Sequence, residues 1–149
     1  MSIEGERNID MEKYTKKLVA VLNEKVEIGT LMNALAHMSV GLGASIEDKD
    51  GLRLVDYTDG DGKSHTNLSE LPFIILRGSS NKIKALREEL IAKKVQFVDF
   101  PDFVGSMGTF DNPLKSRKFK EPDIKYYGIT MYGDWDVVSE LTRKFSLWK

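Results

Sequence analysis

The stretch KKLVAVLNEKVEIGTLMNALAHMSVGLG, which spans Lys16 to Gly43, decides the fold of this chain. Its residues 18–22 (LVAVL) form a continuous apolar run, which is typical of a strand buried on both faces. A polar turn follows, and Gly29 and Thr30 then begin a segment whose apolar residues recur at helical spacing: Leu31, Leu35, Met38 and Leu42. The pattern predicts a buried strand, a short turn and a helix that runs from Gly29 to about Leu42.

Three polar residues interrupt this apolar helix. Thr30, Asn33 and His37 are three and four residues apart, which places them on one stripe. If the stripe is buried it needs partners, because an unpaired buried polar group costs about 1–3 kcal/mol. His37 is then either an acid–base group, since histidine titrates near neutral pH, or a packed histidine bonded to a backbone carbonyl.

The rest of the chain alternates between strand and helix signals. A hairpin (about 48–62), a strand (71–76) and a helix (79–94) come first. A strand (95–100), a long connection (101–123), a strand (124–132) and a final helix (133–148) follow. This order predicts an α/β fold: a three-layer sandwich with a mixed four-stranded central sheet and a small hairpin insertion.

Composition excludes several classes of protein. The chain has 149 residues, two histidines and a net charge of −1. It contains no cysteine, which excludes disulfides and thiolate chemistry. We expect a single domain over 14–149 after a flexible arm at 1–13, with no metal and no cofactor. No apolar run approaches the length of a membrane span, so we expect a cytoplasmic protein without membrane contact.

Two segments carry groups that suit anions. Arg77 to Asn81 (RGSSN) places hydroxyls and amides before a predicted helix, either as an anion seat or as ordinary caps. A basic run with one aromatic residue, Phe119, lies in and after the long connection: Lys115, Arg117, Lys118, Lys120 and Lys125. The run either contacts RNA phosphates or forms a solvated loop, and its acidic neighbours favour the loop.

The opening stretch resembles the type II peptidyl-tRNA hydrolases at Lys17, Gly29 and His37 and differs from them at two other positions. In that family a lysine precedes the first strand, as Lys17 does here, and a Gly-Lys pair opens a helix with a histidine seven residues after its lysine. Gly29 and His37 match this motif, whereas Thr30 stands in the lysine position and Ala34 replaces a glutamine. From about residue 16 to 148 the chain is still more similar to an uncharacterised offshoot, the domain of unknown function 2000 family.

The resemblance implies a fold and suggests a role for Asp99. This residue best matches the family's strand-end aspartate, and Gly128-Ile129 matches its closing Gly-Ile pair. In the hydrolases the helix-start lysine and this aspartate are thought to work on the ester. Thr30 removes the positive charge that would hold a phosphate or a developing oxyanion.

Together these features predict a cleft near the N-terminal half of the first helix. Asp99 and His37 are the candidate catalytic groups, and the candidate ligand-binding residues are Lys17 at the rim, Thr30, Asn33, Ser106 and Thr109. The favoured function is binding of a small molecule or an acyl or nucleotide-type ligand. The alternatives are hydrolysis of peptidyl-tRNA or a related ester, and a non-catalytic homodimer formed through the first helix or exposed aromatics.

Overall fold

A mixed five-stranded sheet forms the centre of the molecule. The computed structural model describes residues 14–104 and 112–149. In chain order the elements are β1 (Lys16–Asn23), α1 (Ile28–Ser45), β2 (Leu54–Thr58), β3 (Ser64–Ser69), β4 (Phe73–Gly78), α2 (Ser80–Lys93), β5 (Gln96–Pro101), β6 (Tyr126–Asp134), α3 (Trp135–Thr142) and β7 (Ser146–Leu147). The order across the sheet is β5-β6-β1-β4-β7, and β2 and β3 form a separate hairpin.

The central strand β1 is paired on both sides. It runs parallel to β4 and antiparallel to β6, so that Ala20 lies between Ile75 and Thr130. Val19, Ala20 and Val21 are completely buried. The prediction of a strand covered on both faces is therefore confirmed, and the continuous apolar run exists because helices lie above and below it.

Helix α1 covers one face of the sheet. Leu31, Met38 and Leu42 of the expected apolar stripe are buried, together with Ala34, whereas Leu35 is half-buried. The helix extends three residues beyond the predicted end, to Ser45. Lys49 accounts for the extension, because its ammonium group donates to the terminal carbonyls of Gly43 at 2.7 Å and Ala44 at 3.2 Å.

Helices α2 and α3 cover the opposite face, which completes three layers. Their buried residues pack with the β1 and β6 side chains that point away from α1; this cluster includes Val19, Val21, Ile83, Leu86, Leu90, Ile129, Met131, Val138 and Leu141. The predicted α/β class with a mixed sheet is confirmed.

The end of the chain differs from the sequence-based expectation. The sheet has five strands instead of four, because Ser146 and Leu147 pair with β4 as a short edge strand. The final helix ends at Thr142, so Phe145 and Trp148 do not belong to it. The amide of Trp148 donates to the carbonyl of Ile75 at 2.9 Å, and this tertiary bond holds the tail extended. Two paired residues are too few to produce a readable alternation.

The predicted hairpin insertion is present as β2 and β3, which pair antiparallel. The expected flexible arm at 1–13 lies outside the described residues. Within 14–104 and 112–149 no helix combines the length and the hydropathy that crossing a bilayer requires.

The close packing at Gly78 gives a test of the fold. A Cβ atom at this position would lie 2.8 Å from two ring carbons of Phe145 and 3.4 Å from a Val21 methyl group. We expect Gly78→Ala to lower the free energy of unfolding by about 1–3 kcal/mol, because the buried ring must move. Urea denaturation measures the change.

Gly43→Ala is the matched control. No atom lies within 4 Å of its added Cβ, and the position is helical. This variant should gain about 0.5–1 kcal/mol, because alanine favours the helix over glycine. Equal effects of the two substitutions would contradict the packing described for Gly78.

Candidate functional site

Several elements meet at the carboxyl end of the parallel strands. Because β1 and β4 run in the same direction, their last residues, Asn23 and Gly78, lie side by side. Strand β6 is antiparallel to β1, and its first residue, Tyr126, lies at this same end of the sheet. Helices α1 and α2 both begin just after these strands end. In open α/β sheets, ligands commonly bind at the carboxyl ends of the strands.

Side-chain hydrogen bonds fix three of these segments to one another. Asn23 is only 6% exposed, and its amide nitrogen donates to the carbonyl of Tyr126 at 3.0 Å. The Asn23 side-chain oxygen accepts from the amide of Lys25 at 3.0 Å. The amide of Tyr126 in turn donates to the Ser80 hydroxyl at 2.9 Å. The turn after β1, the start of β6 and the start of α2 therefore form one rigid frame.

A cleft of about 560 Å³ opens within this frame. Three lysines line it, each from a different segment: Lys25 from the turn after β1, Lys84 from α2 and Lys125 from the approach to β6. Asp123 is the carboxylate among its lining residues. The ammonium group of Lys84 donates to the carbonyls of Glu121 and Pro122, both at 3.2 Å. We call this space the lysine cleft.

A second, smaller cleft of about 310 Å³ borders the first at Ser79. Arg77, Lys82 and Lys144 supply its positive charges, and Glu24 supplies a carboxylate. We call it the arginine cleft. Ser79 caps α2 by accepting from the Lys82 amide at 3.2 Å, which confirms that ordinary capping occurs in the Arg77–Asn81 segment.

The polar stripe on α1 faces solvent. Thr30, Asn33 and His37 are exposed, so none of them requires a buried partner. The His37 ring lies 6.5 Å from the ring of Phe100, centroid to centroid, with the planes tilted by 51°. The same outer surface of α1 exposes three large apolar residues: Ile28, Met32 and Val40.

Asp99 lies on the opposite side of the sheet from His37. Side chains alternate along β5, so Val98 and Phe100 pack toward α1 while Asp99 points toward α2. There its carboxylate accepts a hydrogen bond from the Arg87 side chain at 2.9 Å. Burial alone would lower the pKa of Arg87, but the hydrogen bond and charge of Asp99 outweigh this effect and raise it.

Lys17 lies at the other end of the sheet from Thr30. It is six residues before the end of β1, which corresponds to about 20 Å along the strand. Its ammonium group lies 4.8 Å from the ring centroid of Trp135, and burial lowers the pKa of this lysine. Asp99 and Lys17 are therefore on the side of α2 and α3, whereas Thr30, Asn33 and His37 are on α1.

The remaining binding candidates, Ser106 and Thr109, lie outside the described residues. The basic run lies within the described residues. Its first three members are in a 3₁₀ helix at Pro113–Lys118, and a second 3₁₀ helix, Glu121–Asp123, lies between Lys120 and Lys125. The Phe119 ring, considered for base stacking, stacks on Phe103 with centroids 5.0 Å apart. One of its faces is therefore occupied by the protein itself.

Sequence reasoning overlooked Lys25 and Lys84 as members of a site. Each is unremarkable in its own segment, one in a polar turn and the other on a charged helix. The carboxyl ends of parallel strands lie at the same end of a sheet, and this rule could have predicted that Asn23 and Lys25 lie close to the Ser79–Ser80 turn. In the part of the chain that the structure describes, no three acidic or histidine side chains are grouped to hold a metal ion.

These features define an α/β domain with a mixed sheet and a basic cleft at the carboxyl end of its parallel strands. A sequence model of one family, described as a protein of unknown function (DUF2000), matches residues 16–149. The chain belongs to this family. No curated protein matches the sequence.

A solved structure shares the fold. It is that of Atu0240, a protein of unknown function from Agrobacterium tumefaciens str. C58, which superposes with a TM-score of 0.77. The match covers 91% of this chain and 99% of the other, with 17% sequence identity. At this identity the likeness shows the fold alone.

The position of Asp99 can be tested through its ion pair. Arg87 and Asp99 are 27% and 20% exposed in their side chains. In a double-mutant cycle with Arg87→Gln and Asp99→Asn, we expect a coupling free energy of about 0.5–1 kcal/mol, because the pair is close and partly shielded from water. Chemical denaturation of the four proteins gives the value.

The more exposed pair Lys144 and Glu89, 3.8 Å apart, serves as the control. Its coupling should be close to zero, as it is for many surface ion pairs. A coupling near zero for Arg87 and Asp99 as well would contradict a structural role for Asp99.

Proposed function

We propose that this protein binds a small phosphate-bearing molecule in the lysine cleft. The observation that carries the proposal is that three lysines, Lys25, Lys84 and Lys125, line one cleft that has Asp123 as its carboxylate. Its volume, about 560 Å³, falls within the range of small-molecule sites.

The arrangement of charge favours an anion. In the described residues, Lys25, Lys84 and Lys125 have no carboxylate within ion-pair distance. Lys84 uses two of its three N–H donors on backbone carbonyls, which holds its charge in place and leaves one donor for a ligand. Charge-assisted hydrogen bonds from ammonium to phosphate are stronger than neutral ones.

The frame around the cleft favours binding without rearrangement. Asn23, Tyr126 and Ser80 already join its walls through hydrogen bonds of 2.9 and 3.0 Å. A preformed site avoids part of the entropy cost of ordering side chains and loops on binding.

Hydrolysis of peptidyl-tRNA, implied by the resemblance, has weaker support. The proposed acid–base groups His37 and Asp99 lie on opposite faces of the sheet, an arrangement that does not favour joint action on one ester. Asp99 is engaged by Arg87, and Thr30 supplies no charge at the start of α1. A type II peptidyl-tRNA hydrolase-like ancestry of the fold remains a proposal that this α/β architecture permits.

Self-association is a second candidate function, because α1 has an uncharged outer face. The helix contains no charged residue over 18 positions, a length of about 27 Å, and Ile28, Met32 and Val40 are 55%, 65% and 74% exposed. A partner without charges suits this face, and the same helix of a second copy provides such a surface in a two-fold dimer.

Ligand binding is tested with glucose 6-phosphate as the probe. We expect Lys25→Ala to weaken its affinity about tenfold, or ~1.4 kcal/mol, because one charge-assisted contact is lost. Isothermal titration measures the affinity, and the rise in melting temperature with ligand gives an independent readout. Added salt should weaken binding to the wild-type protein.

Lys93→Ala is the matched control, since Lys93 is an exposed lysine in the last turn of α2, away from the cleft. It should leave the affinity unchanged. The proposal fails if the wild-type protein shows neither heat of binding nor a melting shift at millimolar phosphate ester, or if both alanine variants behave alike.

Self-association has its own measurement. Sedimentation of the wild-type protein at high concentration should show a dimer, and Met32→Lys should shift the population to monomer because a charge enters the apolar interface. Lys93→Glu, which changes charge elsewhere, should leave the dimer intact. A monomer at all concentrations would exclude this candidate.

A further inference from the structure

We infer that the ligand carries two phosphate groups at separate ends, one held in the lysine cleft and the other in the arginine cleft. This inference rests on the proposed function and extends it to a class of ligand. Its basis is the presence of two adjoining clefts, each lined by three cations, that share Ser79 as a common wall.

One cation of each cleft belongs to α2, and the two lie on different sides of this helix. Lys84 lines the lysine cleft and Lys82 lines the arginine cleft. Residues two positions apart on a helix point about 200° away from each other, so these lysines lie on opposite sides of the helix axis. With side chains included a helix is about 10 Å wide, and the two phosphate positions are therefore about 10 Å apart.

The charge of the arginine cleft is only partly neutralised by the protein. Among the described residues, Arg77 and Lys82 have no carboxylate within ion-pair distance, although Glu24 lines the same cleft. Lys144 is 3.8 Å from Glu89, and both side chains are about half exposed. An anionic group would reduce the repulsion among these cations.

The separation of the clefts selects among phosphate compounds. An inorganic diphosphate, whose two phosphorus atoms share one oxygen, is too short to span a helix width of about 10 Å. A hexose 1,6-bisphosphate carries its phosphates at opposite ends of a six-carbon chain, which suits this span. The guanidinium of Arg77 adds two-point recognition of phosphate oxygens at one end.

The experiment compares fructose 1,6-bisphosphate, fructose 6-phosphate and inorganic diphosphate by isothermal titration. The wild-type protein should bind one bisphosphate at least tenfold more tightly than the monophosphate, whereas diphosphate should gain no such advantage. Lys82→Ala should abolish the advantage of the bisphosphate without changing the affinity for the monophosphate. Lys25→Ala should weaken both sugar phosphates, and Lys93→Ala should change neither.

The failures of the two proposals can be told apart. In one outcome the monophosphate binds with an affinity that depends on Lys25, but the bisphosphate binds no more tightly. In another the bisphosphate binds more tightly, but Lys82→Ala does not change its affinity. Either outcome overturns the two-phosphate inference and leaves the proposed function standing. Two molecules of bisphosphate per chain would also overturn it. If no phosphate compound binds, both proposals fall together. The variants remain comparable because all three substitute exposed lysines.

Discussion

The buried amide of Asn23 is the constraint on which the carboxyl end of the molecule depends. It is the last residue of β1, and its side chain holds both the start of β6 and the turn toward α1. Asparagine suits this position because its side chain donates and accepts at once, whereas the apolar residues before it on β1 can do neither. The carbonyl of Tyr126 accepts from Asn23 and its amide donates to Ser80. The turn after β1 and the start of β6, about 100 positions apart in sequence, therefore form one wall of the lysine cleft.

Charge is segregated although the chain is nearly neutral. A net charge of −1 gives no indication of where in the chain an anion would bind. In the structure, however, six cations and two carboxylates line the two clefts at one end of the sheet. Acidic residues Asp48 and Asp134 lie near Lys16 at the opposite end, where Lys16 and Asp134 form an ion pair. Total charge therefore says little about a ligand, because binding responds to the local field.

The sequence was sufficient for the core and insufficient for the site, for identifiable reasons. Buried strand β1 and the apolar stripe of α1 follow from local periodicity, which depends on neighbouring residues alone. The face on which Asp99 lies depends on the register of β5, and a shift of one residue would have turned it toward α1. Likewise, Lys25 and Lys84 are 59 positions apart, and only the parallel pairing of β1 with β4 brings them together.

The likeness to Atu0240 shows that the fold tolerates extensive change in sequence. With 17% identity over 91% of this chain, a shared fold requires a similar pattern of buried and exposed positions rather than the same side chains. Function is therefore not transferred by the fold, because related scaffolds host different sites. Lys25, Lys84, Arg77 and Lys82 are lining residues of the clefts rather than members of the buried core. They can change without loss of the fold, so the proposed ligand site is free to differ between proteins that share this fold.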